Sequence, residues 1–259
     1  MLSFIGLGLY DERSITLRGR DALSEADAVF AEFYTSRLVG TTVERLESVH
    51  DIDIEIRDRA GVEQNPGPIL AAAEEGHAAF LTAGDTMIST THVDLRMRAH
   101  ERDVETQVVH GTTAQTAASS LTGLQNYRFG KATTLPFEET HGGVPDSVLA
   151  TIRENRERDL HTLVYLDIHA DSERFMTGDV AAGLLTEPLE DPPGVVIGRA
   201  GSDDPVVRAD RLSTLTADSF GPPLHLLVIP ATCHPLERES LRTFGDAPDG
   251  VFDTGSRKY

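Results

Sequence analysis

The side chains that could do chemistry first occur at residues 10–13, where Tyr, Asp, Glu and Arg follow an apolar run that contains Gly6 and Gly8. Glycines directly behind a strand are typical of a loop whose backbone amides hold the pyrophosphate of a dinucleotide. The spacing does not fit that motif, because the position of its third glycine holds Asp11, whose carboxylate would repel a phosphate. The stretch therefore indicates a loop that binds a less anionic ligand.

Two further apolar runs end in glycine followed by polar residues, in FLTAGDTMISTTH at 80–92 and in VVHGTTAQTA at 108–117. Ligands of open α/β sheets collect at the carboxyl ends of strands, so three similar strand ends predict one shared site. Asp85 is a candidate ligand contact there, and the alternative is that its carboxylate only caps a turn. We expect the helix after Asp85 to begin near Thr90 or Thr91, either of which is a suitable N-cap.

Apolar runs alternate with amphipathic segments along the chain, which is the βαβ pattern of an α/β protein. The strands that we predict are Leu2–Leu7, Ala28–Phe33, Ala78–Thr82, Glu105–His110, Thr162–Ile168, Val195–Arg199 and His225–Ile229. The predicted helices are Thr16–Ala26, Pro68–Glu75, Thr91–Glu101, Thr113–Leu121, Asp146–Arg156 and Met176–Leu185. Most of the strands are continuously apolar, so we expect parallel strands covered on both faces.

The stretch 123–145 is rich in turn-forming residues and interrupts the alternation. A domain boundary at about residues 110–125 follows, and we place an N-terminal α/β domain with glycine-rich loops at 1–112 and a C-terminal α/β domain at 113–259. A cleft between the two domains is then the expected ligand site.

Composition limits the class of partner. The 42 acidic and 23 basic residues give a net charge of −19, which disfavours a role in binding nucleic acid or an anionic membrane. Only two residues are lysine, and an acidic protein with more arginine than lysine suggests adaptation to high salt. The single cysteine, the absence of an 18-residue apolar run and the absence of a charged leader predict a cytoplasmic protein. No His or Cys spacing is typical of a metal site, so we expect no metal.

Five segments together carry a resemblance to a known family: FIGLGLYDERSIT, FAEFYTS, FLTAGDTMISTTH, LHTLVYLDI and RAGSDDPVVRA. In this order they resemble the diphthine synthases, the methyltransferases of diphthamide biosynthesis. That family belongs to the tetrapyrrole-methylase-like class, in which two α/β domains bind S-adenosylmethionine in the cleft between them, usually in homodimers. The resemblance covers nearly the whole chain and is weakest at residues 40–70 and in the C-terminal tail.

The resemblance implies a cofactor that suits the acidic loops, because S-adenosylmethionine carries a sulfonium cation and no phosphate. The positions that match the family's cofactor contacts are Leu9, Asp85, Ile88, Thr113, Ala114, Leu166, Ala200 and His225. The sequence departs from the family where Ala83-Gly84-Asp85-Thr86 replaces the frequent Pro-Gly-Asp-Pro. The third loop, Gly-Thr-Thr-Ala, likewise lacks the family's proline, which affects the expected rigidity of the loops.

The chemistry that the resemblance implies is methylation of the amino group of a 3-amino-3-carboxypropyl chain on a histidine of elongation factor 2. Such an amine is mostly protonated at neutral pH, so the site must lower its pKa or accept its proton. Asp11 or Glu32 could accept or orient that proton, and Arg13 could bind the carboxylate of the substrate. Each of the three could instead form only a surface ion pair or a turn contact.

Two other functions remain open. A methyltransferase of the same fold could act on a precorrin or another tetrapyrrole, although GLGLYDERSIT is unlike the Gly-x-Gly-x-Gly-Asp pattern of those enzymes. A non-catalytic module could bind S-adenosylmethionine and dock on a translation factor with the same loops.

Overall fold

The computed structural model describes residues 1–169 and 172–253 and divides into two compact units, Met1–Thr113 and Ala114–Tyr259. The elements of the first unit are β1 (Leu2–Gly6), α1 (Leu17–Ser24), β2 (Ala28–Glu32), α2 (Val43–His50), β3 (Ile54–Ile56), α3 (Gly67–Glu75), β4 (Ala78–Thr82), α4 (Val93–His100) and β5 (Thr106–Val109). A π-helical turn at Ala60–Gln64 precedes α3.

The first unit is built on a five-stranded sheet in the order β3-β2-β4-β1-β5, and every pair in it is parallel. The central strands β1 and β4 are buried at every residue, as their continuous apolar sequences predict. The parallel arrangement expected for this half of the chain is therefore confirmed.

The two faces of this sheet carry different core clusters. Phe4 and Phe80 pack on one face with residues of α3 and α4, whereas Ile5 and Leu81 pack on the other face with residues of α1 and α2. The helix that follows β1 thus lies on one face of the sheet, and the helix that follows β4 lies on the other. Such a divergence opens a crevice at the carboxyl ends of the two strands, which is where open α/β sheets bind ligands.

The second unit has the elements α5 (Ala114–Thr122), β6 (Thr133–Leu135), α6 (Glu138–His141), α7 (Asp146–Glu157), β7 (Thr162–Leu166), β8 (Ile168–His169), β9 (Arg174–Phe175), α8 (Gly178–Thr186), β10 (Pro193–Gly198), β11 (Val206–Arg211), α9 (Leu212–Leu215), β12 (His225–Ile229) and α10 (Pro235–Gly245).

Its main sheet has the order β11-β10-β12-β7-β6 and is mixed. Only β6 and β7 are parallel, and the other three pairs are antiparallel. The expectation of parallel strands in this half was wrong, because β10 and β11 are joined by the short segment 199–205, which is too short for a crossover. Helices cover both faces, so β10 and β12 are nonetheless buried and read as continuous apolar runs.

The predicted strands all occur, but several elements were not predicted. They are α2, β3, β6 and β11, together with the short strands β8 and β9 and the helices α6, α9 and α10. The start of α4 was also predicted wrongly, since its N-cap is His92. The hydroxyl of Thr90 donates to the carbonyl of Thr86 and that of Thr91 donates to Glu63, so neither caps the helix.

None of the helices formed by residues 1–169 and 172–253 combines the length and the apolar character needed to cross a membrane.

Candidate functional site

Three glycines bring the ends of β1, β4 and β5 into backbone contact. A Cβ atom placed on Gly6 would lie 2.5 Å from the carbonyl oxygen of Gly84, and one on Gly111 would lie 2.1 Å from the same oxygen. Gly8 and Gly84 also exchange two backbone hydrogen bonds of 3.1 and 2.7 Å. The three strand ends that the sequence singled out therefore meet, and they do so because no side chain separates them.

Asp85 ties the second of these loops to the third. Its Oδ2 accepts from the Gly111 amide at 3.2 Å and lies 2.8 Å from Nδ1 of His110, while its Oδ1 accepts from the Met87 amide at 2.9 Å. The residue is 4% exposed. Its carboxylate thus sets the shape of two loops, and the turn-capping role left open by the sequence is present.

The first loop carries Leu9, Asp11 and Arg13 on one short turn. Oδ1 of Asp11 accepts from the Arg13 amide at 3.0 Å, and the hydroxyl of Ser14 donates to the carbonyl of Leu9. The side chain of Arg13 is exposed, and no carboxylate within the described ranges pairs with its guanidinium. The turn thus presents one exposed guanidinium and one partly exposed carboxylate.

Glu12 anchors the far side of the first loop to α2. Its Oε1 lies 3.2 Å from Nε of Arg45, and its carbonyl lies 3.0 Å from Nε2 of His50. A hydrogen bond from its own backbone amide and the nearby Arg45 lower the pKa of Glu12, so the carboxyl is ionised and the contact persists at neutral pH.

Glu32, at the end of β2, is fully buried. Its Oε2 accepts from the amides of Tyr34 and Thr35 at 3.0 Å each, and its Oε1 accepts from the hydroxyl of Thr35. The carboxylate therefore holds the turn that comes after β2. Of the three side chains predicted to face the substrate, Asp11 and Arg13 lie on one loop, and Glu32 lies beneath the surface.

The remaining cofactor positions predicted in the first unit lie at the same edge of its sheet. Ile88 lies three residues after Asp85 and exposes 43% of its surface. Thr113 is half-buried and ends the unit behind β5. Leu9, Asp85, Ile88 and Thr113 are thus brought to one edge.

Three of the four predicted residues of the second unit share an edge of its sheet as well. Leu166 ends β7, His225 begins β12, and Ala200 follows the end of β10. Because β12 runs antiparallel to both neighbours, its start lies beside their ends, and Gly198 is the register partner of His225. The fourth residue, Ala114, begins α5 and packs against the core cluster on one face of this sheet.

The ring of His225 is held through both nitrogens. Nδ1 accepts from the Gly178 amide at 3.0 Å, and Nε2 lies 3.1 Å from the carbonyl oxygen of Pro222, to which it donates. Burial lowers the pKa of His225, because the charged ring would lose its hydration. His225 is therefore neutral at pH 7, and its ring nitrogens are used by the protein itself.

Two histidines at the edge of the first sheet were not singled out by the sequence reasoning. His110 contacts Asp85, and His92 lies 3.6 Å from Oε1 of Glu32. The position of His110 directly before Gly111 at a strand end could have been noticed. His92 gives no such signal, because its contact with Glu32 joins residues sixty positions apart in the sequence.

The carboxylates at the edge of the first sheet differ in exposure. Asp11 lies on the partly exposed first loop, whereas Glu32 and Asp85 are buried and bonded within the protein. Gly84 has a φ of +81° and open space where its Cβ would point, so its loop exposes backbone to a ligand. No group of three or more His, Cys, Asp or Glu side chains within the described ranges is arranged to hold a metal ion.

Comparison with known proteins identifies the fold and the family. The family model described as Tetrapyrrole (Corrin/Porphyrin) Methylases matches residues 1–216. The diphthine synthase of Haloarcula marismortui is 63% identical, with 95% of this chain and 99% of the relative covered. That of Natronomonas pharaonis is 65% identical, with 97% and 98% covered. A crystal structure of diphthine synthase matches with a TM-score of 0.90 at 37% identity, covering 96% of this chain and 98% of that one. The chain therefore belongs to the tetrapyrrole methylase family and, within it, to the diphthine synthases.

Proposed function

We propose that this methyltransferase uses S-adenosylmethionine to methylate the amino group of the 3-amino-3-carboxypropyl histidine of elongation factor 2, which gives diphthine. The observation that carries the proposal is the identity of 63% and 65% with two curated diphthine synthases over nearly the whole of each chain. The arrangement of the loops at the end of β1 supports it, because Asp11 and Arg13 offer one carboxylate and one guanidinium to an amino acid side chain.

S-adenosylmethionine, when bound, supplies a methyl group on a positively charged sulfur. The residues that we assign to holding it are Leu9, Asp85, Ile88 and Thr113 at the edge of the first sheet, Leu166, Ala200 and His225 at the edge of the second, and Ala114 at the start of α5. Asp85 and His225 act there through the loops they fix, since their polar atoms already bind backbone amides. Ile88 contributes an exposed apolar surface.

The substrate needs a neutral amine and a fixed position. We assign the carboxylate of the substrate to Arg13, whose guanidinium can bind it through two hydrogen bonds. We assign the amine to Asp11, whose Oδ1 is oriented by the Arg13 amide at 3.0 Å. A carboxylate beside the amine can accept the proton that must leave before each transfer, and a dry, well-aligned site supplies most of the remaining rate enhancement.

The experiment uses the full chain, radiolabelled S-adenosylmethionine and elongation factor 2 that carries the 3-amino-3-carboxypropyl group. Transfer of label to the factor, with methyl groups counted by peptide mass, is the expected result. Binding of S-adenosylhomocysteine without transfer would instead indicate a non-catalytic module, and label in an added precorrin would indicate a tetrapyrrole methyltransferase. Both outcomes contradict the proposal.

Arg13→Ala tests the assignment of the substrate carboxylate. Losing a charge-assisted hydrogen bond costs about 1.5–3 kcal/mol, so kcat/KM for the modified factor should fall roughly 10- to 100-fold. The affinity for S-adenosylhomocysteine should not change. Arg18→Ala removes another exposed arginine, on α1, and serves as the matched control. Equal losses in the two variants would point to general charge attraction and would remove Arg13 from the site.

A cytoplasmic location and a homodimeric state complete the proposal. The first follows from a translation factor as substrate, and the second from the resemblance to the family. Sedimentation of the purified protein decides the oligomeric state directly.

A further inference from the structure

A buried polar layer lies at the carboxyl ends of β2 and β4, on the face where Phe30 and Phe80 pack. Glu32 and Thr82 are register partners in this parallel pair, two residues beyond Phe30 and Phe80. Side chains alternate along a strand, so both polar side chains point to the same face as the two phenylalanines. Both residues are 0% exposed. A carboxylate thus sits directly above an apolar core, where an unpaired charge is costly.

Glu32 uses both carboxylate oxygens within the protein. Oε2 accepts from two successive amides, those of Tyr34 and Thr35, at 3.0 Å each, and Oε1 accepts from the hydroxyl of Thr35. These bonds fix the turn 32–35. A carboxylate that is fully buried and used in this way is unsuited to direct contact with the substrate.

His92 connects this turn to the loop that carries Asp85. Its Nδ1 lies 3.0 Å from the carbonyl oxygen of Thr86, and a carbonyl can only accept, so Nδ1 carries the hydrogen. Its Nε2 lies 3.6 Å from Oε1 of Glu32, and its ring packs edge-on against Phe80 at a centroid distance of 5.0 Å. The ring therefore bridges the loop 83–92 and the turn 32–35.

The second nitrogen of His92 is unsatisfied. Burial lowers the pKa of His92, although the charges of Glu32 and Glu63 oppose that effect. A neutral ring presents the lone pair of Nε2 to a carboxylate oxygen, and Nε2 has no hydrogen-bond partner among the described residues. The hydroxyls of Tyr34, Thr82 and Thr86 are buried without a partner within the same ranges as well.

A cavity lies beside His92. It has a volume of about 170 Å³ and is lined by Val62, Glu63, Thr91, His92, Asp94 and Leu95. Glu32 lies 3.6 Å from the ring of His92, and Glu63 and Asp94 line the cavity, where they pair with Arg59 and Arg98 respectively.

We propose that Glu32 and His92 are positioning residues of the donor site: Glu32 fixes the turn 32–35 through its hydrogen bonds, and His92 fixes the loop 83–92 through the Thr86 carbonyl and packs against the Glu32 carboxylate. The inference rests on the proposed function, because that function places the donor on Asp85 and Ile88 of this loop. It also assigns Glu32 a role different from that of a proton acceptor for the substrate amine. Thr86 follows Asp85 directly, so a shift of the Thr86 carbonyl would be passed to the carboxylate that joins the second and third loops.

The two roles of Glu32 predict opposite results for Glu32→Gln. The amide oxygen of Gln can accept from the amides of Tyr34 and Thr35, and its NH2 group can donate to Nε2 of a neutral His92. A positioning role therefore predicts that the affinity for S-adenosylhomocysteine and the turnover rate stay within about threefold of wild type, whereas Glu32→Leu should weaken that affinity at least tenfold. If Glu32 is instead the proton acceptor, the turnover rate of Glu32→Gln should fall by about two orders of magnitude or more with unchanged affinity. That result would overturn the inference.

Substitutions of His92 test the other half of the pair. The side-chain nitrogen of Asn can occupy the place of Nδ1, so His92→Asn keeps the bond to Thr86 and should weaken the binding of S-adenosylhomocysteine, measured by calorimetry, no more than threefold. His92→Leu removes both contacts and should weaken it at least tenfold. His100→Asn, an exposed histidine at the end of the same helix, is the control and should bind as wild type does.

A measurement without ligand keeps the inference testable if a variant loses stability. Hydrogen exchange detected by mass spectrometry should show faster exchange in both 32–35 and 83–92 for Glu32→Leu and for His92→Leu, with β1 and α10 unchanged. The inference is overturned if exchange stays at the wild-type rate in 83–92 of Glu32→Leu or in 32–35 of His92→Leu. Failure of the wild-type protein to bind S-adenosylhomocysteine would instead refute the proposed function, and the exchange data would still show whether the pair couples the two segments.

Discussion

At the scale of single residues, the glycines at the strand ends are the part of the site that a side chain would damage most. Gly6 and Gly111 allow three loops to touch through their backbones, because a Cβ on either would collide with the carbonyl oxygen of Gly84, whereas Gly84 itself has a φ of +81° that favours glycine. The sequence shows that glycines follow these strands. It does not show why glycine is needed there, because the close approach of the backbones is seen only in three dimensions.

Gly111→Ala should destabilise the protein by about 3 kcal/mol and weaken the binding of S-adenosylhomocysteine, because the new Cβ would lie 2.1 Å from the Gly84 carbonyl oxygen and must displace backbone. Urea unfolding measures the first effect and calorimetry the second. Gly67→Ala is the control, since nothing lies within 4 Å of its Cβ position and the change should be stabilising by about 0.5 kcal/mol. A wild-type free energy of unfolding for Gly111→Ala would show that the loops are loosely packed.

His225 should make the stability of the protein sensitive to mild acid. Its pKa is lowered in the folded state by burial, so the unfolded chain takes up the proton first as the pH falls below about 6.5. The wild type should therefore lose free energy of unfolding between pH 7 and pH 5, by at most about 1.4 kcal/mol per pH unit from this residue.

The measurement compares wild type with His225→Asn by urea unfolding at several pH values. The amide oxygen of Asn can accept from the Gly178 amide in place of Nδ1, so the variant should fold, with a lower stability at pH 7 that approaches wild type near pH 5. His100→Asn should follow the wild-type curve. Parallel curves for wild type and His225→Asn would mean that His225 is not the titrating group.

The strand ends that carry the candidate site could be predicted one residue at a time, whereas contacts between distant elements could not. Asp85 and Gly84 come directly after an apolar strand, so the local sequence shows their place at the end of a sheet. The pair of Glu32 and His92 could not be found in this way, because its 3.6 Å contact depends on how β2 and α4 pack against the same face. A single sequence shows which residues come next after a strand, but it does not show which side chain of another element lies above them.

At the scale of the elements, strands buried on both faces were predictable and marginal ones were not. β1 and β4 are continuously apolar and occur where the sequence places them. β3 is three residues long with two exposed positions, and β11 alternates between buried and exposed residues at a sheet edge. The antiparallel pairing of β10 with β12 gave no signal either, because helices cover both faces and remove the alternation.

The N-terminus of α10 depends on one buried carboxylate. Glu237 is 0% exposed and accepts from Nε2 of His161 at 3.0 Å, from the amides of Gln125 and His234, and from Arg128. Nδ1 of His161 accepts from the Ala231 amide, so the hydrogen shared with Glu237 is on Nε2. Burial alone would raise the pKa of Glu237, but these hydrogen bonds lower it to about 2.

Glu237→Gln should lower the free energy of unfolding at pH 7 by about 3 kcal/mol, since a pKa lowered from 4.5 to about 2 corresponds to that amount. The depressed pKa means that the contribution is complete above pH 4.5 and disappears as the pH falls toward 2, so the difference between variant and wild type should shrink in that range. Glu239→Gln, an exposed neighbour on α10, should change stability by less than about 0.5 kcal/mol. A similar loss in both variants would exclude the buried network as the cause.

At the scale of the whole molecule, the net charge of −19 acts on stability more than on the choice of ligand. The ion pairs of the described residues are mostly exposed, and such pairs contribute little individually. The remaining carboxylates repel one another in the folded state, and salt shortens the distance over which they do so from about 10 Å at 0.1 M to about 3 Å at 1 M. The net charge could be obtained from the sequence alone, because it depends on composition and not on the fold.

The melting temperature should consequently rise by roughly 10 °C between 0.1 M and 2 M KCl at pH 7, because screening removes self-repulsion from the folded state. Calorimetric scans at both salt concentrations give the rise. The same pair of scans at pH 4.8, the isoelectric point of the sequence, separates charge screening from the general strengthening of apolar burial by salt. Near zero net charge the rise should fall to less than a third of its value at pH 7, and an equal rise at both pH values would attribute the salt effect to burial of apolar surface.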